Sequence, residues 1–145
     1  MQVDFYQLGA GGVEAVLPRL AERVLGEGGR LLVVTADEEQ AERLDGALWT
    51  YAPESFLPHA RAGGAGDADQ PVLIAADATP QNGARAVALA DGRWRDEALG
   101  FDRAFYLFGD EQVAAARGAW RSLAEQEGVS RNLWRQEDGR WAKIA

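Results

Sequence analysis

The sequence predicts an α/β fold: an open, mostly parallel sheet with helices on both faces and a β-hairpin at its C-terminal end. Three observations carry this. Strand-period and helix-period apolar patterns alternate over the first 49 residues. Short continuous apolar runs bounded by turn residues recur, as in strands buried on both faces of a sheet. Finally, Asp138-Gly139 stands between two strand-like segments, a strong short-range hairpin signal.

Taken in order, residues 2–8 (QVDFYQL) alternate apolar and polar β-formers until GAGG ends the strand. From Val13, the positions Val16, Leu17, Leu20, Ala21 and Val24 follow the spacing of one helical face, and GEGG at 26–29 stops that helix. RLLVVT (30–35) is a buried strand bounded by turns. Asp37 is the expected N-cap of the next helix, with Gln40 three residues on as a variant of the capping box, and the helix runs through EEQAERLDGALW. On that helix Ala41, Leu44 and Leu48 form the buried stripe. Trp49 lies about 80° round from Ala41, at the margin of the stripe.

The following stretch, within LDGALWTYAPESFLPHA (44–60), gathers Trp49, Tyr51, Phe56 and the single histidine, His59, where Pro53 and Pro58 oppose helix. ARAGGAGDADQ (60–70) has the composition of a flexible surface loop. Strands resume with PVLIAA (71–76) and RAVALA (85–90), separated by the turn-rich TPQNG. DRAFYLF (102–108) leads into a helix from Asp110 to about Gln126, and RNLWRQEDGRWAKI forms the hairpin. There are no internal repeats and no long linker, so one domain is expected over 1–145.

Composition narrows the function. At 145 residues a single core burying roughly two thirds of the unfolded surface is expected. A formal charge of −8 argues against a protein whose main task is to lie along nucleic acid. The absence of cysteine removes disulfides, thiolate metal sites and cysteine nucleophiles. The opening MQVDFYQL has no basic and apolar leader pattern, and no apolar run approaches the roughly 20 residues of a membrane span. A cytoplasmic location with no membrane contact is expected.

Catalytic motifs are scarce. LGAGG after the first strand, with Asp37 beyond the second, invites a dinucleotide-binding reading, but the third glycine of G-x-G-x-x-G is replaced by Glu14. That carboxylate stands where a pyrophosphate would bind. There is no P-loop lysine, Lys143 being the only lysine. None of Ser55, Ser122 and Ser130 lies in a nucleophile elbow. The acidic pairs of the second helix have the spacing of a solvated face. Neither a catalytic site, a metal, a cofactor nor a small-molecule substrate is expected.

The late helix DEQVAAARGAWRSLAEQ is different. Val113, Ala116, Trp120 and Leu123 form its core-facing stripe, while Arg117 and Arg121 stack one turn apart on an adjacent face. Trp120 is either plain core or part of a cationic, aromatic patch suited to an acidic peptide. Trp49 poses the same choice between core margin and interface.

ADEEQAERLDGALWTYAPESFLPH, QPVLIA, AAARGAWRSL and the terminal LWRQEDGRWAKI resemble the chi subunit family of bacterial DNA polymerase III holoenzyme, and DFYQL and VLPRLAERVLGEGGRLLVVT fit the same order of elements. The resemblance spans nearly the whole chain. It implies a Rossmann-like or helicase-like fold and a non-catalytic accessory protein of the clamp loader. It also implies pairing with the psi subunit, binding of the acidic C-terminal tail of single-stranded-DNA-binding protein, and indirect association with DNA through the replisome. Residues matching the tail site are Trp49, Arg117, Trp120 and Arg121. Phe56, Leu57, Pro58 and His59 are expected to anchor the loop or face the partner subunit. The alternatives are a nucleotide-binding or helicase-like domain and a weak direct binder of single-stranded DNA.

Overall fold

The computed structural model describes residues 1–51 and 57–145. Among these, eight strands form one sheet: β1 (Gln2–Gln7), β2 (Leu31–Val34), β3 (His59–Arg61), β4 (Val72–Ala75), β5 (Ala86–Leu89), β6 (Arg103–Phe108), β7 (Ser130–Glu137) and β8 (Arg140–Lys143). Three α-helices cover it: α1 (Gly12–Gly26), α2 (Glu38–Thr50) and α3 (Val113–Leu123). The spatial order is β3-β4-β2-β5-β6-β1-β7-β8, parallel throughout except for the β7–β8 pair. The fold is thus the mostly parallel α/β sheet that the sequence predicts.

Because side chains alternate across a strand, each strand feeds two cores. Val3 and Phe5 of β1, Leu32 and Val34 of β2, and Tyr106 and Phe108 of β6 pack in one layer with Ala116, Ala119 and Leu123 of α3. Tyr6, Leu31, Val33, Phe105 and Leu107 pack in the opposite layer with Leu17, Leu20 and Val24 of α1 and Leu44 and Leu48 of α2. So α3 lies on one face and α1 and α2 on the other.

Local chemistry fixes the elements. The Asp37 side chain accepts from the Gln40 backbone N–H at 2.8 Å, and the Gln40 carboxamide reaches back to the N–H of Ala36 rather than that of the cap residue. At the hairpin, Asp138 and Gly139 have φ of 50° and 76°, the two positive values of a type I′ turn. The connection between β4 and β5 crosses β2 without a helix. Asn82, 1% exposed, holds it by donating to the carbonyls of Leu31 and Gln70 and accepting from the Ala84 N–H.

The stretch at 60–70 departs from the expected free loop. His59–Arg61 pairs in parallel with Val72–Ile74 as the edge strand, and Asp67–Asp69 forms a short 3-10 turn. Three residues are too few for an alternation to show, and Arg61 reaches its partner, Glu38, only through the fold. The late helix begins with a 3-10 turn at Asp110–Gln112 and ends its α segment at Leu123, with Ala119 added to the buried stripe.

Candidate functional site

The entry to α3 is set by Gln112. Its carbonyl oxygen accepts from the N–H of Gly109 and its amide donates to the carbonyl of Asp91, tying the helix to the end of β5. Gly92 is required there: its φ is +72°, and a Cβ would come within 2.2 Å of the Gln112 side chain. With α3 so placed, its Trp120 edge faces β1 and β7 and encloses a groove of about 350 Å³.

The groove has an apolar floor of Phe5, Phe108, Val113, Ala116, Trp120 and Leu133, with Gln7, Arg117 and Arg135 at its rim. Trp120 is half-buried and meets Phe5 edge-on at 5.1 Å. The guanidinium of Arg131 lies 4.2 Å from the centre of its ring and donates to the Trp120 carbonyl at 2.6 Å. Trp120 is therefore a fixed wall with one side on the core and one on the groove.

Arg117 is exposed and has no hydrogen-bond or ion-pair partner among the described residues. Arg121 is also exposed and lies one turn further along the helix, beyond the groove lining. Arg135 has Glu137 as its nearest carboxylate, at 3.9 Å. Ala145, whose carboxyl-terminal oxygen accepts from the Leu133 N–H at 2.9 Å, also lines the groove. The groove thus pairs an apolar depth with Arg117 and Arg135 at its rim, on a molecule whose net charge is −8. An acidic, apolar-ended ligand suits that balance.

Trp49 stands elsewhere. It lies at the end of α2, in the opposite layer and toward the β3 edge, 56% exposed, with its ring edge-on to His59 at 4.8 Å. It therefore does not line the groove formed by Arg117 and Trp120, beyond which Arg121 also lies. The periodicity of α2 places Trp49 at the margin of that helix's buried stripe correctly, but periodicity within a helix does not say which face of the sheet the helix covers.

Around Trp49, Leu57 is buried against the α1 and α2 layer, and Pro58 is half-buried. Leu57 is thus a loop anchor. The His59 side chain is fully buried: Nδ1–H donates to the Leu57 carbonyl at 2.6 Å, while Nε2 lies 3.1 Å from Asp45 without hydrogen-bond alignment. Phe56, named with these residues from the sequence, lies outside the described residues.

The glycine turn after β1 opens on a crevice of about 640 Å³ at the C-terminal ends of the strands, where open α/β sheets commonly hold ligands. Its lining includes Glu14, Asp37, Asp91, Asp110 and Glu111 against Arg43. Arg43 is already engaged by Glu14 at 3.2 Å and by Glu39 at 3.3 Å. Asp91 is paired with Arg95, whose ionisation is held above its usual range by that hydrogen bond and opposed by burial. A phosphate in this crevice would face carboxylates. Among the described residues there is no group of three or more potential metal ligands and no helix long and apolar enough to cross a membrane.

Sequence reasoning missed the β7 side chains Leu133 and Arg135, which line the groove, and Arg131, which lies over the Trp120 ring. They alternate along β7, in register with Val3, Phe5 and Gln7 of β1, and so project to the α3 side. The alternation is visible in RNLWRQ, but its destination depends on β7 pairing with β1 across 128 residues of sequence, as the bond from Asn132 to Asp4 shows.

An α/β sheet with a cationic, apolar groove beneath one helix, set apart from an acidic strand-end crevice, is a domain of the open-sheet α/β class. Residues 1–139 match the family described as DNA polymerase III chi subunit, HolC, and the chain belongs to that family. It is 37% identical over 84 residues to the DNA polymerase III subunit chi of Pseudomonas aeruginosa, a match covering 56% of this chain and 58% of that relative. It is 42% identical over 67 residues to the subunit of the same name from Escherichia coli, covering 46% of each. The matched stretches thus span about half the length of these curated relatives.

Proposed function

We propose that the chain is a non-catalytic adaptor of the clamp loader, joined to it through the psi subunit, and that the α3 groove receives the acidic C-terminal tail of single-stranded-DNA-binding protein. The observation that carries the reading is the groove itself: an aromatic-lined floor with Arg117 and Arg135 at the rim. A terminal phenylalanine ring enters the floor. Its carboxylate and the acidic residues before it pair with the guanidiniums. Arg121, further along α3, extends the cationic field toward the upstream part of the tail.

Trp49 belongs, on this reading, to the second contact. Among the described residues it and Ile144 are the exposed large hydrophobics, and Trp49 lies beside the Leu57–His59 segment. An exposed tryptophan over a buried anchor suits a partner subunit. A cytoplasmic location follows from such a role.

The test is a calorimetric titration of the full chain with an acidic peptide ending in phenylalanine, with ATP as the competing ligand. Saturable peptide binding that weakens with salt supports the reading. ATP binding with no peptide binding at low salt overturns it in favour of a nucleotide-binding domain.

A further inference from the structure

A second cationic groove lies at the same end of the sheet as the α3 groove but on its other face, and we propose that it is a contact site for single-stranded DNA. It holds about 250 Å³ between α1 and the β7–β8 hairpin. Tyr6 forms its floor, with Trp141 edge-on at 5.0 Å and Trp134 stacked on the Tyr6 ring at 6.5 Å and 15°. Lys143, two residues after Trp141, projects from the same face of β8.

The charged residues lining the groove are Arg19 and Arg23. Both are exposed. Arg19 has no hydrogen-bond or ion-pair partner among the described residues, and the Arg23 guanidinium donates to the Tyr6 hydroxyl at 3.3 Å. The carboxylates of α1 are drawn away: Glu14 is engaged by Arg43, and Glu22 accepts from Tyr51 beyond α2. A carboxylate-free groove on a chain of net charge −8 is a local inversion of sign.

Charge and ring together favour a nucleic-acid strand. Arg19 and Arg23 are one helical turn apart, about 6 Å along the axis, and lie over an aromatic floor. A single strand offers phosphates alternating with planar bases, which pair with guanidiniums and stack on rings respectively. An acidic peptide has no ring for each charge and is better received by the deeper floor beside α3. Membership of a DNA polymerase III subunit family places such a strand within reach. The proposal rests on that membership and not on the tail reading.

The experiment is fluorescence anisotropy of labelled oligothymidine with the full chain at low ionic strength. The expected result is saturable binding that is weak at physiological salt, with Kd on the order of 10⁻⁴–10⁻⁶ M. R19E/R23E should weaken it at least tenfold and flatten the log K against log salt slope by about 1.4, roughly 0.7 per phosphate lost. R117E should leave it unchanged. If R19E/R23E lowers Tm, R19Q/R23Q decides in its place. A flat titration overturns the proposal, as does equal loss in R117E, which would move the DNA to the α3 groove. Displacement of the oligonucleotide from R117E protein by the acidic peptide also overturns it, since the groove would then be a peptide site.

Discussion

The Arg131 guanidinium lies over the Trp120 ring at 4.2 Å and donates to the carbonyl of the same residue at 2.6 Å, so one side chain from β7 fixes both the ring and the backbone of α3 at the groove wall. This makes the wall ready before any ligand arrives. R131A should cost about 1 kcal/mol of stability, the scale of a cation–π contact. It should also weaken the acidic peptide several-fold by loosening Trp120. Thermal melts and a peptide titration on the same variant measure both, and unchanged peptide affinity would mean the ring needs no fixing.

The two helix arginines should differ. Arg117 lines the groove and Arg121 lies beyond it. A charge-assisted hydrogen bond contributes about 1.5–3 kcal/mol, so R117E should weaken the peptide by more than tenfold and R121E by less, with Tm unchanged in both. The reverse order would shift the ligand along the helix.

Trp49 should be silent in the same assay. Because it lies in the opposite layer beside His59, W49A is expected to leave peptide affinity at the wild-type value and to reduce capture of the psi subunit in a pull-down. A tenfold loss of peptide affinity would mean that the two faces are coupled.

Asp4 is a buried tie between strands, on the face of the sheet opposite the groove. At 1% exposure it accepts hydrogen bonds from Gln2, Arg103, Asn132 and Trp134, joining β1 to β6 and β7. Removing one member of a buried pair strands the other. D4A should destabilise the fold by about 3 kcal/mol, measured by urea unfolding, and lower peptide affinity only through the loss of folded protein.

Gly118 lies exposed within α3 with nothing near the position of an added Cβ. G118A should therefore raise stability by about 0.5–1 kcal/mol. If peptide affinity falls at the same time, the ligand backbone passes over this turn, and the glycine is there for its approach.

Much of the fold was legible in the sequence. The LLVV run, the Asp37 cap and the Asp138-Gly139 turn each carry their structure in a few adjacent residues. What was not legible depends on distant partners. The β3 edge strand exists because β4 offers it a ladder, and the helix-free passage from β4 to β5 exists because Asn82 bonds to carbonyls at Leu31 and Gln70. The site followed the same rule. Arg117 and Trp120 share a helix and were found together, whereas the groove's other wall comes from β7, and the layer of Trp49 was set by which face α2 covers.

That assignment of layers makes the sheet a bulkhead. Its central strands, β4, β2, β5, β6 and β1, are buried on both sides by close-packed side chains, and such interiors do not deform continuously. Molecules docked at α3 and at the end of α2 would be walled off from each other, with no shared side chain through which one could alter the other's grip. Their binding free energies should add, with a coupling near zero. The chain would then behave as a passive coupling with two independent sockets, able to hold one load while the other is exchanged.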